Sequence, residues 1–249
     1  MRKIMASATR KMRQPAIKPE VIAHRGLRDR YPENSVPAFL AALDAGVDAI
    51  ELDVHATRDG VVVVHHDFTL SGNDGSAFRG RAISTIDFNE LSVYEIAPGV
   101  GVPSLETVLR AVAGRAKVYI EIKARNIEAL VASVLDLVTE ATGKCAVHSF
   151  DHRIIRSFNA LAPHVPTGIL LVGYPVDVPS LLRAAHARDL WQVCDFIDGE
   201  LISSVHNMGG RVVGWTCNES SDWTRLRALG VDAVCTDRSA DLVEWLGGK

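Results

Sequence analysis

Short runs rich in Val, Ile and other strand formers alternate with helix-patterned stretches from residue 21 onward, and this alternation restricts the fold more than any other feature. The runs are Val21–His24, Ala49–Val54, Val61–His65, Val118–Ile122, Ala146–Ser149, Gly168–Val172, Gln192–Phe196, Val212–Trp215 and Ala233–Thr236. Helical patterns fit between most of them, among them Val36–Ala45, Leu105–Ala113, Ile127–Glu140, Arg153–Leu161 and Trp223–Leu229. Strand and helix in alternation predict a parallel sheet with helices outside it. Nine strand candidates are one too many for a TIM-type (β/α)8 barrel, a fold that 249 residues suit well. The Asp59-Gly60 dipeptide removes the surplus. Placed between two strand runs, it is a strong two-residue hairpin signal. Val61–His65 is therefore expected to run antiparallel to the strand before it, while the other eight runs close the barrel. With Arg58 facing Val61, the register sets His66 opposite Asp53.

Residues 68–102 lack a strong period and are rich in Gly, Ser, Asn and Asp. The segment is too long for an ordinary connection and reads as an insertion over the barrel mouth. No repeat or linker divides the chain, so residues 20–249 are expected to form one domain. Residues 1–19 differ: Arg2, Lys3, Arg10, Lys11, Arg13 and Lys18 are basic, and no acid precedes Glu20. Without an apolar core this is no secretory signal. A solvated tail is the expectation, although an organellar transit peptide has a similar composition. A net charge of -3 gives no basic surface for nucleic acid. No apolar run approaches the roughly 18 residues of a membrane span. Cys145, Cys194, Cys217 and Cys235 form no C-x-x-C pair and sit in or beside apolar runs. They read as buried free thiols in a reducing, cytoplasmic setting.

Glu51 and Asp53 are two apart on one strand and share a face, as do Glu121 and Lys123 on another. Such charges cannot be buried unpaired under the helices, so they should face a polar mouth. Three carboxylates converging there would bind a hard divalent cation. A ring of ion pairs, with Lys123 on Glu51 or Glu121, is the competing reading, and either pair taken alone favours it. His24 ends the first strand, where barrel enzymes place catalytic groups, and Arg25 beside it can fork onto a phosphate. The hairpin would return His66 to the same carboxylates. His65 should then point away as a surface or packing residue, and His55 should be solvated. Trp215 ends a late strand, as substrate wall or as core. Asp237 follows the last strand and reads as a cap of the final helix.

These motifs resemble the glycerophosphodiester phosphodiesterases. The resemblance covers residues 21 to about 245. It rests on His-Arg-Gly at 24–26, Pro-Glu-Asn at 32–34, Glu-Leu-Asp at 51–53, Asp-Gly at 59–60 and His-Asp at 66–67. It continues through Pro103-Ser104-Leu105-Glu106, Ile120-Glu121-Ile122-Lys123, Ser149-Phe150, Trp215-Thr216 with Asn218, and Thr236-Asp237. It implies a TIM-type barrel and one divalent cation, Mg²⁺ or Ca²⁺ with Mn²⁺ also able to serve, held by Glu51, Asp53 and Glu121. It further implies His24 and His66 as general acid and base, Arg25 and Lys123 on the phosphate, and Glu33 and Asn34 ordering the mouth. The reaction implied is hydrolysis of a small glycerophosphodiester to sn-glycerol 3-phosphate and an alcohol. The family often continues its His-Asp with Leu-x-Arg-Thr-Thr, whereas this chain reads Phe68-Thr69-Leu70-Ser71-Gly72-Asn73. That departure falls in the segment expected to shape the substrate pocket.

Three other functions fit parts of this pattern. A lysophospholipase D would need an apolar ramp at the mouth, which the Gly- and Asp-containing insertion does not offer. A sugar-phosphate isomerase or aldolase barrel would need a glycine-rich phosphate loop or a Schiff-base lysine, and neither is evident. A catalytically dead binding module would not keep the histidines and carboxylates.

Overall fold

The computed structural model describes residues 18–72, 76–142 and 144–247. The basic stretch expected as a tail lies outside the described residues as far as position 17, and Lys18 and Pro19 lead into the first strand. In chain order the elements begin with β1 (Glu20–His24), α1 (Val36–Asp44), β2 (Ala49–Ala56) and β3 (Val62–Val64). A short α2 (Phe88–Leu91) and the two-stranded β4 (Glu95–Ala97) and β5 (Val100–Gly101) follow. The rest alternates: α3 (Leu105–Val112), β6 (Lys117–Ile122), α4 (Glu128–Thr142), β7 (Cys145–Ser149), α5 (His152–Leu161), β8 (Thr167–Leu171) and α6 (Val178–Ala185). It closes with β9 (Asp189–Val193), α7 (Gly199–His206), β10 (Arg211–Trp215), α8 (Ser220–Leu229), β11 (Ala233–Thr236) and α9 (Ser239–Gly247).

The strands β1, β2, β6, β7, β8, β9, β10 and β11 pair in parallel in that order, and β11 pairs back to β1, so the barrel closes. The expected architecture is therefore the observed one. One strand is displaced: β9 spans Asp189–Val193 rather than Gln192–Phe196, because Cys194–Phe196 already turns toward Asp198, the N-cap of α7.

Alternation along each strand sorts the side chains. One set packs outward under the helices in a continuous apolar layer that includes Val21, Ile50, Leu52, Ile120 and Val212. The other set fills the barrel, where Ile22, Ala49, Tyr119, Ala146, Leu170, Trp191, Val213 and Ala233 form the middle. Below them Glu20 is bonded by Lys117 and Arg211, and Tyr119 reaches down to the same carboxylate. Above them lie the polar residues of the mouth. Five of the outer helices start at side-chain caps, Ser35, Ser104, Asp151, Asp177 and Asp198, each accepting a backbone N–H of the first turn.

The hairpin exists, but its register is one residue from the expected one. Val54 faces Val64, His55 faces Val63 and Ala56 faces Val62. Thr57 then faces Val61, and the loop is Arg58-Asp59-Gly60, closed by a Gly60 N–H bond to the Thr57 carbonyl at 3.0 Å with Gly60 at φ +85°. Three-residue hairpins take this form, a turn followed by a left-handed residue. The Thr57 hydroxyl, donating to Asp59 at 2.6 Å, favours it over the two-residue turn. The residue opposite Asp53 is consequently His65, whose N–H donates to the Asp53 carbonyl at 3.0 Å.

Residues 68–102 carry a small apolar core of their own, Leu70, Ile83, Ile86, Leu91, Tyr94 and Val102, packed on Val63 of the hairpin. All four cysteines are free thiols, three buried and Cys145 half-buried. No helix among the described residues is long and apolar enough to cross a membrane.

Gly26 is a tight point of the fold. It follows β1 at φ +84°, and an added Cβ would lie 2.8 Å from the backbone of Ala38 in α1. Gly26→Ala is expected to lower unfolding free energy by about 2–4 kcal/mol, from left-handed strain plus overpacking. Urea denaturation measures this, and a loss smaller than about 0.5 kcal/mol, the size of an ordinary surface change, would contradict the close approach.

Candidate active site

The carboxyl ends of the strands enclose a cavity of about 230 Å³. Seven of the residues singled out in the sequence line it: His24, Arg25, Glu51, His66, Glu121, Lys123 and Trp215. Strand register brings them together. His24 lies beside Glu51, Asp53 beside Glu121, and Glu121 beside His148 across four neighbouring strands. Asp53 sits behind the cavity wall and is 1% exposed. Glu33 and Asn34 border an adjacent depression with Pro32, His65 and Asp67. No described residue of 68–102 lines the cavity, contrary to expectation. Its apolar wall is Phe150, Leu170, Trp191 and Trp215 instead, and the 68–102 segment contributes only Ser71 and Ile96 to the adjacent depression.

Arg25 and Asn34 both adopt left-handed backbone, at φ 56° each. Side chains other than glycine rarely take this conformation, at a cost of roughly 1–2 kcal/mol apiece. Here the turn folds the β1–α1 loop back on itself, and the Asn34 N–H donates to the Arg25 carbonyl at 3.0 Å. Asn34 Nδ2 then donates to Asp53 Oδ2 at 2.9 Å, and Asn34 Oδ1 accepts from the Asp53 N–H at 3.3 Å. Arg25 reaches Glu33 at 2.9 Å and Asp53 at 3.2 Å. Glu33 also holds Arg28 at 2.5 Å.

Buried charge here is balanced by buried charge. Lys123 Nζ lies 2.9 Å from Glu121 and 3.5 Å from Asp53. Burial alone would raise the Asp53 pKa, but Arg25, Lys123 and the Asn34 hydrogen bond hold it below the usual carboxylate range. Glu121 behaves oppositely. Burial, reinforced by the negative Asp53, pushes it up to about 7.

The two histidines are held differently. His24 Nδ1 donates to Asp237 at 2.6 Å. Asn218 donates to the other Asp237 oxygen at 2.8 Å. Burial opposes the ionised Asp237, yet the His24 and Asn218 hydrogen bonds and Arg28 bring it down to about 2. Asp237 thus orients His24 and does not cap the final helix, because its carboxylate accepts from His24 and Asn218 and from no backbone N–H of α9. His66 is bonded at Nδ1 to Asp67, 2.7 Å away. It reaches the cavity not by facing Asp53 but because β3 ends at Val64 and the chain leaves the ladder after His65. His65 turns its Nδ1 to the Asp67 carbonyl. His55 is not solvated: it is 3% exposed, its Nε2 donates to the His66 carbonyl at 3.1 Å, and burial lowers its pKa to about 4. The neutral ring so produced fixes the His66 backbone.

One residue of the site, His148, was not singled out in the sequence, and the places of two motif residues, Phe150 and Asn218, were not legible. His148 lies in an apolar strand run, and only the β6–β7 register reveals that it faces Glu121. Phe150 meets Trp215 edge to face with centroids 5.3 Å apart, a contact across the barrel. Asn218 had no assigned task until Asp237 and Thr236 were seen to bond it.

Glu51, Glu121 and His148 each present a donor atom within 4.8 Å of the others, all buried. Asp53 Oδ1 is buried beside them with no hydrogen-bond partner among the described residues, its nearest positive group being Lys123 Nζ at 3.5 Å. Closely spaced carboxylates suit a divalent cation, and a cation there would offset the burial and the Asp53 charge that raise the Glu121 pKa.

A closed parallel barrel with two histidines and buried carboxylates at its carboxyl mouth defines a class of barrel whose polar site could hold a cation. Within that class, the pattern of the glycerophosphoryl diester phosphodiesterase family matches residues 24–241, and the chain belongs to that family. It is 30% identical over 235 residues to a glycerophosphodiester phosphodiesterase of Caldanaerobacter subterraneus, covering 90% of this chain and 96% of that one. A crystal structure from Galdieria sulphuraria, described as a glycerophosphodiester phosphodiesterase, superposes with a TM-score of 0.85 at 21% identity, over 93% of this chain and 99% of that one. An Oleispira antarctica phosphodiesterase, solved in complex with the product sn-glycerol-3-phosphate, does so with a TM-score of 0.83 at 23% identity, over 92% and 97%.

The high pKa of Glu121 has a consequence for stability. Between the ordinary glutamate value of 4.5 and about 7, the folded chain holds a proton at this group that the unfolded chain has released. Its contribution to stability therefore falls as pH rises through that window. Without divalent cation, the wild type is expected to lose more stability than Glu121→Gln between pH 5 and pH 8. Equal pH dependence of the two unfolding curves would contradict the assignment.

Proposed function

We propose that the protein hydrolyses glycerophosphodiesters to sn-glycerol 3-phosphate and an alcohol, assisted by a divalent cation. The observation that carries this reading is the convergence of two histidines, two positive side chains and buried carboxylates on one cavity. Family membership supports it, as does the product bound by the Oleispira antarctica phosphodiesterase.

Arg25 and Lys123 attract the single negative charge of the diester and orient it. Both already hold carboxylates, so they are fixed in place before substrate arrives. His24 and His66 perform the proton transfers. Each has Nδ1 committed to an aspartate, which leaves Nε2 free for the reacting oxygens. One takes the proton from the attacking oxygen, of water or of the neighbouring glycerol hydroxyl, and the other protonates the departing alkoxide. Glu51 and Glu121, with Asp53 in support, would hold a divalent cation, which when bound would supply neutralisation of charge developing on the phosphate. The apolar wall of Phe150, Leu170, Trp191 and Trp215 confines the glycerol moiety and favours diesters over monoesters. The four free thiols suit a cytoplasmic location.

One observation favours a second reading, turnover of single-chain lipids. Phe150, which lines the cavity, and Val172, Tyr174, Val176 and Phe196 are exposed on the segments that follow β7, β8 and β9 at the carboxyl ends of the strands. An acyl chain could lie along them, so the apolar ramp absent from 68–102 has another source.

The deciding experiment screens the full chain against glycerophosphocholine, glycerophosphoethanolamine, glycerophosphoinositol and lysolipids, with and without chelator. Turnover of the glycerophosphodiesters is expected, abolished by chelation and restored by Mg²⁺, Ca²⁺ or Mn²⁺. Lysolipid turnover that falls selectively in Val176→Glu would establish the second reading. His66→Ala is expected to lower kcat by roughly 10²- to 10⁴-fold, while His65→Ala has little effect. Cleavage of p-nitrophenyl phosphate with none of any glycerophosphodiester would overturn the proposal.

A further inference from the structure

His148 is a buried histidine with no hydrogen-bonding task. It is 1% exposed, and its Nδ1 has no partner among the described residues. Its Nε2 lies 3.6 Å from Glu51 Oε1, beyond hydrogen-bond distance. A neutral imidazole carries one N–H and one lone pair. With the proton on Nδ1, a buried donor points at nothing, and the Nε2 lone pair faces a carboxylate. With the proton on Nε2, the Nδ1 lone pair is stranded and the bond to Glu51 is still not made. Either tautomer leaves a buried polar atom unsatisfied, a cost of about 1–3 kcal/mol.

The ring is nevertheless held firmly. It stacks on Trp191 with centroids 4.1 Å apart and planes 7° from parallel, and Tyr119 meets it edge-on at 6.4 Å. Trp191 is seated by a glycine: a Cβ on Gly168 would approach the indole to 2.9 Å. A fixed imidazole beside two buried glutamates, with one donor atom of each within 4.8 Å of the others, is arranged as a ligand set.

We propose that His148 is a direct ligand of the divalent cation, and that the resulting nitrogen-and-oxygen donor set makes the site prefer first-row transition ions such as Mn²⁺ and Co²⁺ over Ca²⁺ and Mg²⁺. The inference rests on the cation of the proposed function and narrows its identity. Ca²⁺ takes six to eight oxygens, and Mg²⁺ prefers oxygens and retained water. Imidazole nitrogen adds little for either, but binds transition ions well. Ligation satisfies one ring nitrogen, and the other then carries the proton, the tautomer a ligating histidine adopts.

The test is calorimetric titration of the metal-stripped full chain with CoCl₂, MnCl₂, CaCl₂ and MgCl₂ in the absence of substrate, with visible absorption of the Co²⁺-loaded protein as a second readout. His148→Phe keeps a ring against Trp191 while removing the ligand, and His148→Gln offers an oxygen instead. Wild type is expected to bind Mn²⁺ and Co²⁺ at least ten-fold more tightly than Ca²⁺, with a Co²⁺ spectrum distinct from that of the hydrated ion. His148→Phe is expected to lose at least ten-fold in Mn²⁺ affinity, the scale on which ligand-shell changes act, with Ca²⁺ affinity little altered. Should both variants fail to fold, the wild-type selectivity and Co²⁺ spectrum still decide. Equal wild-type affinity for Mn²⁺ and Ca²⁺, or an unchanged preference in folded His148→Phe, would overturn the ligand role while leaving the cation in place. No binding of any divalent cation by the wild type would overturn the cation reading itself, and His148 with it.

Discussion

The structure depends on how buried charge is balanced at the barrel mouth. Glu51, Asp53 and Glu121 are at most 8% exposed, deep enough that an uncompensated carboxylate would not stay ionised. Arg25 and Lys123 supply the balance, at 3.2 Å and 3.5 Å from Asp53 and at 2.9 Å from Glu121 for the lysine. The compensation is incomplete, and Glu121 shows it by holding its proton to about pH 7. A site short of positive charge is a site ready for a cation. The same arrangement explains why the β1–α1 loop accepts two left-handed residues: the turn at Arg25 and Asn34 is what delivers a guanidinium and an amide to Asp53.

Each catalytic candidate is backed by a second layer. Asp237 and Asn218 hold His24, Asp67 holds His66, and neutral His55 anchors the His66 backbone. Groups that must keep position within fractions of an ångström need such support, and rigid strand ends supply it better than loops do. His66 is the exception, standing just past the end of β3. It is also the more exposed of the pair, with 33% of its side chain accessible against 16% for His24.

Strand–helix alternation was enough to read the closed barrel, because buried parallel strands leave a strong apolar signal between helices. The polar mouth was readable for the same reason in reverse: Glu51, Asp53, Glu121 and Lys123 interrupt apolar runs where burial would forbid them. Relations between strands were harder. Choosing a two-residue over a three-residue turn shifted the hairpin by one position, and only the Thr57 and Asp59 side chains decide between them. His148 was invisible because a single histidine in an apolar run looks like packing until its neighbour across the sheet is known. Asp237 looked like a helix cap because caps and histidine partners occupy the same place in sequence, just after a strand. Trp215 was readable as one wall of the cavity, but the share expected from 68–102 is absent, because that segment spends its apolar residues on its own small core.

The chemistry stands on which phosphorus–oxygen bond is cut. Phosphorus NMR of glycerophosphocholine incubated with the full chain and a divalent cation reports this directly. A diester resonance replaced by that of sn-glycerol 3-phosphate, with free choline released, is the predicted result. An unchanged diester signal, or conversion to phosphocholine and glycerol, would contradict the assignment of the barrel mouth as a glycerophosphodiester site that releases the alcohol.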